Sequence, residues 1–206
     1  MRSKLILIRH GITTGNVQHL YYGNTDVPLA EKGIRELKGL AEKGLYPRSE
    51  SAQYYTSGML RTEQTLELIY GEQEHEIIEN LQELDFGIFE MKSYKELEGN
   101  PAYEKWIYAE DESVPPPEGE SIMNFKKRIH DGFRELLGKH ERHVLKLRNR
   151  EEEAMSICIC HGGVISGILN EIWPDRHDYF YGWIPDPGHG YILTMEDAKI
   201  IEDERF

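Results

Sequence analysis

The sequence predicts an α/β fold of three layers, with a mainly parallel sheet covered by helices on both faces. Two short continuous apolar runs, residues 5–8 and 157–160, are typical of strands buried inside a parallel sheet. Between them, apolar runs alternate with segments whose apolar residues recur every three or four positions, which is the pattern of βα units. At 206 residues, we expect one domain over residues 1–206, with an irregular, lid-like excursion at about 84–120.

The first half of the chain predicts strands and helices in alternation. Residues 29–45 and 59–70 carry apolar side chains at helical spacing, and Gly71 is expected to end the second of these helices. The elements predicted here are, in order, a strand over 4–8, a helix over 29–45, a strand over 52–56, a helix over 59–70 and a strand over 76–78.

The segment from residue 84 to 117 has an irregular pattern and many aromatic residues. A long loop of this kind is typical of a segment that covers a binding site. One or two short helices are expected within it, around 94–97 and 102–108. Four aromatic residues either stack on a substrate or pack the excursion itself: Tyr94, Tyr103, Trp106 and Tyr108.

The second half of the chain begins with Ser121, which is expected to cap a long helix with apolar residues at a spacing of three to four up to residue 147. Ser57 is expected to cap the earlier helix over 59–70 in the same way. The elements that follow the long helix are a buried strand over 155–160, a helix over 164–173 and a closing hairpin with strands at 190–195 and 199–201.

The composition limits the partners of the protein. A formal net charge of −13 opposes binding to nucleic acid and to anionic membranes, so a phosphate pocket would need its own cluster of cations. No apolar run is long enough to predict a transmembrane helix. Cys158 and Cys160 lie two residues apart on one strand, where a disulfide is awkward, so reduced thiols and a cytoplasmic location are expected. The sequence leaves a homodimer open.

The first group of candidate site residues follows the first buried strand. Arg9 and His10 place a cation and an imidazole beyond the carboxyl end of a strand, where α/β sheets bind ligands. Gly11 permits a sharp turn, and Thr13 and Asn16 add short polar groups to the same loop. The alternative for this segment is an ordinary turn with a hydrogen-bonded histidine.

Two further segments place charged or polar groups at strand ends. His161 follows the second buried strand, as His10 follows the first. Arg61 lies in the first turns of the helix over 59–70, where free backbone N–H groups attract anions. The alternative for Arg61 is a solvated arginine paired with Glu63 or Glu67.

Glu83 lies in the third segment, 81–90, where acidic residues stand among apolar ones. Partial burial raises the pKa of a carboxyl group, which suits a general acid near neutral pH. The alternative is a mixed acidic loop on the surface of a very acidic chain.

Taken in order, these segments resemble the histidine phosphatase superfamily, the phosphoglycerate mutase-like group. The resemblance extends over essentially the whole chain and implies the phosphoglycerate mutase-like fold. The segments that carry it are 9–16, 57–65, 81–90, 117–121 (Pro-Glu-Gly-Glu-Ser) and 160–163.

The resemblance implies a role for each matching residue. His10 would be the nucleophile that becomes phosphohistidine, and Glu83 the acid that protonates the leaving group and then activates water. Arg9, Arg61 and His161 would form a cationic clamp around the phosphoryl oxygens. No cofactor and no metal are implied. Further contacts to substrate or phosphate are expected from Asn16, Thr13, Gly162, Tyr22 and Gly23.

Within the superfamily, residues 22–29 and 83–87 most resemble the α-ribazole phosphatases and related broad-specificity phosphatases. The expected activity is hydrolysis of a small phosphorylated metabolite, a phosphomonoester. Phosphoglycerate mutase-type transfer and a non-catalytic scaffold that binds phosphorylated ligands remain as alternatives. A dinucleotide-dependent oxidoreductase is disfavoured because neither buried strand is followed by G-x-G-x-x-G.

Three positions depart from the usual pattern of the superfamily. Ile12 stands where Glu or Gln is more common, and Met91 stands where glycine is common. His189 lies in an unfamiliar segment before the last strands, and we expect it to be an ordinary hydrogen-bonded loop histidine.

Overall fold

The structure is a computed structural model that describes residues 2–150 and 152–206. The strands are β1 (Arg2–Arg9), β2 (Leu20–Tyr21), β3 (Gln53–Thr56), β4 (His75–Ile77), β5 (Lys92–Ser93), β6 (Ala154–Cys160), β7 (Gly190–Glu196) and β8 (Lys199–Arg205). The helices are α1 (Thr14–Val17), α2 (Glu31–Glu42), α3 (Leu60–Tyr70), α4 (Tyr94–Leu97), α5 (Pro101–Ile107), α6 (Ile122–Leu147) and α7 (Gly162–Ile172).

Six strands form the central sheet, in the order β4-β3-β6-β1-β7-β8. The first four of these are parallel to one another, whereas β7 and β8 are antiparallel to their neighbours. Strands β1 and β6 are adjacent, with Arg9 opposite Cys160 in the register. The histidines that follow these two strands therefore lie side by side, and the predicted mainly parallel sheet is confirmed.

Successive residues of the central strands point to opposite sides of the sheet, so both faces carry apolar side chains, and helices cover both faces. Leu5 and Leu7 pack in the core beneath α6 and α7, together with the free thiols of Cys158 and Cys160. Ile6, on the other face, belongs to the core beneath α2 and α3. The predicted three layers are confirmed, and so is the placement of both thiols on one face.

The predicted elements agree with the structure to within a few residues at most ends. Ser121 caps α6 as predicted, because its hydroxyl accepts the N–H of Asn124 at 3.2 Å. The two-stranded ribbon of β2 and β5 was not predicted, since each strand has only two residues. Among the described residues, no helix is both long and apolar enough to cross a membrane.

The excursion between β4 and α6 has its own small core. Phe89, Leu97 and Tyr103 are buried together, and Trp106 packs at the edge of this cluster. The short helices predicted here are present as α4 and α5. Tyr108 is 74% exposed, so of the four aromatic residues of the excursion it contributes least to packing.

His140 joins α6 to the two central strands. Its ring is fully buried, with Nδ1 2.8 Å from Ser156 Oγ in β6 and Nε2 2.9 Å from Ser3 Oγ in β1. Burial, followed by the neighbouring His143, lowers the pKa of His140 from 6.5 to about 4. The folded protein therefore holds this imidazole neutral at a pH where the unfolded chain protonates it.

We expect this histidine to make stability depend on pH. Its contribution is complete above pH 6.5 and declines as the pH falls towards about 4, because only the unfolded chain binds the proton in that window. Between about pH 7.5 and pH 5, the free energy of unfolding measured by urea denaturation should fall by roughly 2 kcal/mol more in the wild type than in His140→Gln. The other histidines are common to both proteins, so equal losses would contradict the prediction.

Candidate active site

A cavity of about 510 Å³ opens beyond the carboxyl ends of β1 and β6. The residues that line it are of two kinds, polar and apolar. The polar residues that line it are Arg9, His10, Asn16, Tyr22, Arg61 and Glu83. The apolar residues come mainly from the β2 region and the excursion, and they include Leu20, Tyr21, Phe86, Trp106, Ile107 and Ile184.

His10 is oriented by a hydrogen bond to its own neighbour. The Nδ1–H group donates to the carbonyl oxygen of Gly11 at 2.8 Å, because a carbonyl can only accept. Burial, and then the charges of Arg61 and Arg9, hold the pKa of His10 well below its ordinary value. The imidazole is therefore neutral, and its Nε2 carries a free lone pair, which is the state that a nucleophile requires.

Arg61 is fully buried and belongs to the residues that line the cavity. Its Nη2 donates to Gly23 O at 2.7 Å, and its Nη1 donates to Thr25 O at 3.1 Å. Its Nε donates to Nδ1 of His161 at 3.3 Å. A guanidinium has five N–H groups, so one on each terminal nitrogen remains for an anionic ligand. The prediction that Arg61 belongs to a pocket is confirmed over the surface alternative.

His161 lies next to His10, with 5.2 Å between the ring centroids. Since Nδ1 accepts from Arg61, the proton is on Nε2, which donates to Ser57 Oγ at 2.8 Å. Burial and the charge of Arg61 hold the pKa of His161 well below its ordinary value. His161 is thus neutral in this arrangement and accepts a hydrogen bond from Arg61, and its expected place in a clamp around a phosphoryl group stays a prediction.

Ser57 does not cap α3, contrary to the sequence prediction. Met59 is the N-cap residue and makes no side-chain capping bond, while the hydroxyl of Ser57 is directed to His161 instead. Ser57 also lies 3.3 Å from Thr62 Oγ1, and Thr62 donates to Met59 O. The serine therefore fixes the tautomer of a site histidine, a role that its position before a helix could not indicate.

Arg9 supplies the second guanidinium of the cavity. Its Nη1 donates to Pro185 O at 2.9 Å, and its buried Nε has no partner among the described residues. Gly162 is not among the residues that line the cavity, and its predicted contact with phosphate stays a prediction. A Cβ at position 162 would lie 3.2 Å from Arg9 Nε, so a glycine at this position makes room for the arginine side chain.

Glu83 lies across the same cavity. Its Oε2 accepts from Gly163 N at 3.0 Å and its Oε1 accepts from Leu84 N at 3.1 Å. Each oxygen keeps a further lone pair for a proton or a substrate group. The alternative of an exposed acidic surface loop does not hold for this residue, which is only partly exposed.

Arg128, on α6, fixes the segment that carries Glu83, and sequence reasoning missed it. Its guanidinium donates to the backbone carbonyls of residues 80, 82 and 83 at distances of 2.9–3.2 Å. It also forms a bidentate ion pair with Glu120, at 3.0 and 2.6 Å. The Pro-Glu-Gly-Glu-Ser motif was a signal for this contact, because Glu120 is its second glutamate.

The remaining predicted contacts divide between the cavity and its support. Asn16 and Tyr22 line the cavity, whereas Thr13 and Gly23 do not. Thr13 is fully buried and caps α1, with Asn16 Oδ1 accepting the Thr13 N–H at 3.0 Å. This bond leaves the amide N–H groups of Asn16 for a ligand. Gly23 is pressed against Leu84, whose carbonyl oxygen would lie 1.7 Å from a Cβ.

Met91 and His189 have clear structural explanations. Met91 has a φ of 60°, in the left-handed region that glycine adopts most easily, which explains the usual glycine at this position. His189 lies outside the cavity, and its Nδ1 is 3.2 Å from Pro187 O. It is a hydrogen-bonded loop histidine, as expected.

Comparison with known proteins gives one consistent result. The sequence model of the histidine phosphatase superfamily (branch 1) matches residues 5–201. An adenosylcobalamin/alpha-ribazole phosphatase of Salmonella typhimurium is 28% identical over 170 residues, which are 81% of this chain and 77% of that protein. A 2,3-bisphosphoglycerate-dependent phosphoglycerate mutase of Rhizobium etli is 29% identical over 140 residues, 62% of this chain and 64% of that mutase.

A solved structure supports the fold. The alpha-ribazole phosphatase from Shigella flexneri aligns with a TM-score of 0.71 at 23% identity, over 95% of this chain and 92% of that one. At this level of identity the likeness concerns the fold, in agreement with the sheet order and the three layers described above.

The backbone of Met91 leads to a prediction for stability. We expect Met91→Gly to raise the free energy of unfolding by up to about 1 kcal/mol, because glycine relieves the left-handed strain at a small entropic cost. Met123→Gly is the matched control, since Met123 is also exposed (52%, against 41% for Met91) but lies in α6, and this change should destabilise by about 1 kcal/mol. Urea denaturation measures the free energy of unfolding of both variants, and a decrease in both would contradict the prediction.

Proposed function

The chain belongs to branch 1 of the histidine phosphatase superfamily, and on that premise we propose that it hydrolyses small phosphomonoesters through a phosphohistidine on His10. One observation carries the proposal. The His10 imidazole is neutral and oriented by Gly11 O, so that Nε2 is a free nucleophile in a cavity that also contains two guanidinium groups.

In the first step, Nε2 of His10 attacks the phosphorus atom, and the bond from phosphorus to the ester oxygen breaks. Glu83, in its protonated form, transfers a proton to the departing oxygen, and the alcohol leaves. The two N–H groups that Arg61 has left, together with Arg9, stabilise the negative charge on the phosphoryl oxygens. Positioned cations thus supply the stabilisation, and we propose that no metal takes part.

In the second step, the Glu83 carboxylate accepts a proton from a water molecule as this water attacks phosphorus. The bond between phosphorus and Nε2 breaks, inorganic phosphate forms, and His10 returns to its neutral state. Glu83 is protonated again, so the cycle closes without an external acid or base.

The apolar lining of the cavity favours an ester with a flat, apolar leaving group. Arg9 and Arg61 are the only cations among the described residues that line this cavity, and the proposed mechanism uses both on the phosphoryl group. A phosphoglycerate or bisphosphoglycerate carries a further anionic group, for which the rest of the lining, with Tyr21, Phe86 and Trp106, offers no cation. These aromatic rings suit a substrate such as α-ribazole phosphate, in which an aromatic base is joined to a sugar phosphate.

The roles of His10 and Glu83 are tested by a substrate series assayed in EDTA. His10→Ala should lower kcat/KM at least about a thousandfold for every ester, because the nucleophile is lost. Glu83→Gln should lower kcat about 10²–10⁴-fold for alkyl and sugar phosphates. Its effect on the initial burst of nitrophenolate from p-nitrophenyl phosphate should be much smaller, since nitrophenolate departs without a proton. Steady-state turnover of this ester should still fall, because the attack of water in the second step needs the Glu83 carboxylate.

The control for both variants is His189→Asn, a change outside the cavity that should leave turnover unchanged. Retained activity in His10→Ala would sink the mechanism. Conversion of 3-phosphoglycerate to its isomer faster than release of phosphate would show a mutase, and binding of phosphate esters without turnover would show a scaffold.

The apolar wall is tested by Trp106→Ala. Stacking of a base on an aromatic ring contributes about 1–3 kcal/mol, so kcat/KM for α-ribazole phosphate should fall roughly tenfold or more. Turnover of a small alkyl phosphate should change little, because it has no aromatic base to stack on Trp106. Tyr108→Ala is the control, since Tyr108 is exposed and outside the cavity. An equal fall in kcat/KM for both substrates would show that Trp106 acts only on folding.

A further inference from the structure

The guanidinium of Arg61 is held by a short loop rather than by a carboxylate in direct contact. Two of its hydrogen bonds go to the carbonyl oxygens of Gly23 and Thr25, at 2.7 and 3.1 Å. Asp26, the nearest carboxylate, is half-exposed, and its Oδ1 is 4.0 Å from Nη1. The direction of the guanidinium therefore depends on where the backbone of residues 23–25 lies.

One carboxylate holds that backbone. Oε1 of Glu90 accepts the N–H groups of Gly23 and Asn24 at 3.0 and 3.2 Å. Its Oε2 accepts those of Gly23 and Thr25, both at 3.1 Å. Three successive amides thus converge on one side chain, and Glu90 is separated from them by more than 60 residues of sequence.

The same carboxylate also reaches the segment of the proton donor. Oε1 of Glu90 accepts the N–H of Phe86 at 2.9 Å, three residues after Glu83. On that side the loop is already in contact with the segment, because a Cβ at Gly23 would meet the carbonyl oxygen of Leu84 at 1.7 Å. Glu90 therefore joins the loop that holds Arg61 to the segment that begins with Glu83.

We propose that Glu90 is a positioning residue of the phosphate site: it fixes the backbone of residues 23–25, and this backbone aims the two remaining terminal N–H groups of Arg61 at the phosphoryl oxygens. Glu90 does not line the cavity and touches no substrate. The inference rests on the proposed function only in taking Arg61 as a phosphate-binding cation.

The chemistry explains why a carboxylate occupies this position. The four backbone N–H groups around Glu90 can only donate hydrogen bonds. An ionised carboxylate only accepts them, with two oxygens and about four lone-pair sites. A glutamine keeps the shape but replaces one oxygen with an NH₂ group, which would face amide N–H groups donor to donor. Glu90→Gln is therefore expected to release at least part of the loop while preserving the volume of the side chain.

The experiment measures binding of inorganic phosphate by calorimetry, which needs no turnover. We expect Glu90→Gln to weaken phosphate binding about tenfold, in a protein whose thermal unfolding still shows a folded population at the assay temperature. The ¹H–¹⁵N signal of Arg61 Nε, assigned by its absence in Arg61→Lys, should shift or broaden in Glu90→Gln. A purely structural role would lower the unfolding temperature and leave both quantities unchanged.

Asp85→Asn is the matched control. It removes one negative charge from the same segment, and Asp85 bonds the side chain of Asn24 but not the amides of the loop. Phosphate affinity and the Arg61 signal should stay as in the wild type. Unchanged affinity and an unchanged signal in Glu90→Gln, or equal effects of both variants, would overturn the inference. A wild type that binds phosphate but hydrolyses no ester would instead refute the proposed function and leave this test intact.

Discussion

The complete burial of the Arg61 charge is the constraint on which the rest of the site depends. A guanidinium removed from water is stable only where hydrogen-bond acceptors replace the lost solvent. The protein supplies two carbonyl oxygens from residues 23–25 and the Nδ1 atom of His161. Each acceptor has to be fixed in turn, which explains why a glycine packs against Leu84 and why Ser57 holds the far nitrogen of His161.

The same buried charge determines the state of the two histidines. Both imidazoles lie in a region already occupied by two guanidinium groups, so protonation of either would add a third charge without solvent. Neutrality prepares His10 for attack and lets His161 act as an acceptor for Arg61. The overall charge of −13 is no obstacle, because the local field at the cavity floor is set by Arg9 and Arg61 over a few ångströms.

The sequence was informative where function follows local structure. His10 and His161 could be placed side by side because each follows a buried strand, and parallel neighbours end at the same edge of a sheet. The support of the site could not be predicted, since it comes from contacts between distant segments. Arg128 reaches carbonyls more than 40 residues away, and Ser57 contacts a histidine 104 residues later. The local sequence pattern predicted that Ser57 caps α3, whereas in the structure its hydroxyl contacts His161.

In the proposed mechanism, the polar residues of the cavity carry out the reaction, and the apolar residues select the leaving group. The polar lining comes from several elements: Arg9 and His10 are at the end of β1, Arg61 is in the first turn of α3, and Asn16, Tyr22 and Glu83 come from α1 and from two loops. The apolar wall comes largely from the excursion, whose aromatic cluster around Phe89 and Tyr103 is a separate core. Trp106 belongs to both, because it packs against that cluster and lines the cavity. Changes around Trp106 can therefore alter which leaving group fits, while His10 keeps the geometry that the sheet imposes. Arg61 depends in addition on residues 23–25 and on Glu90, which lies in the excursion.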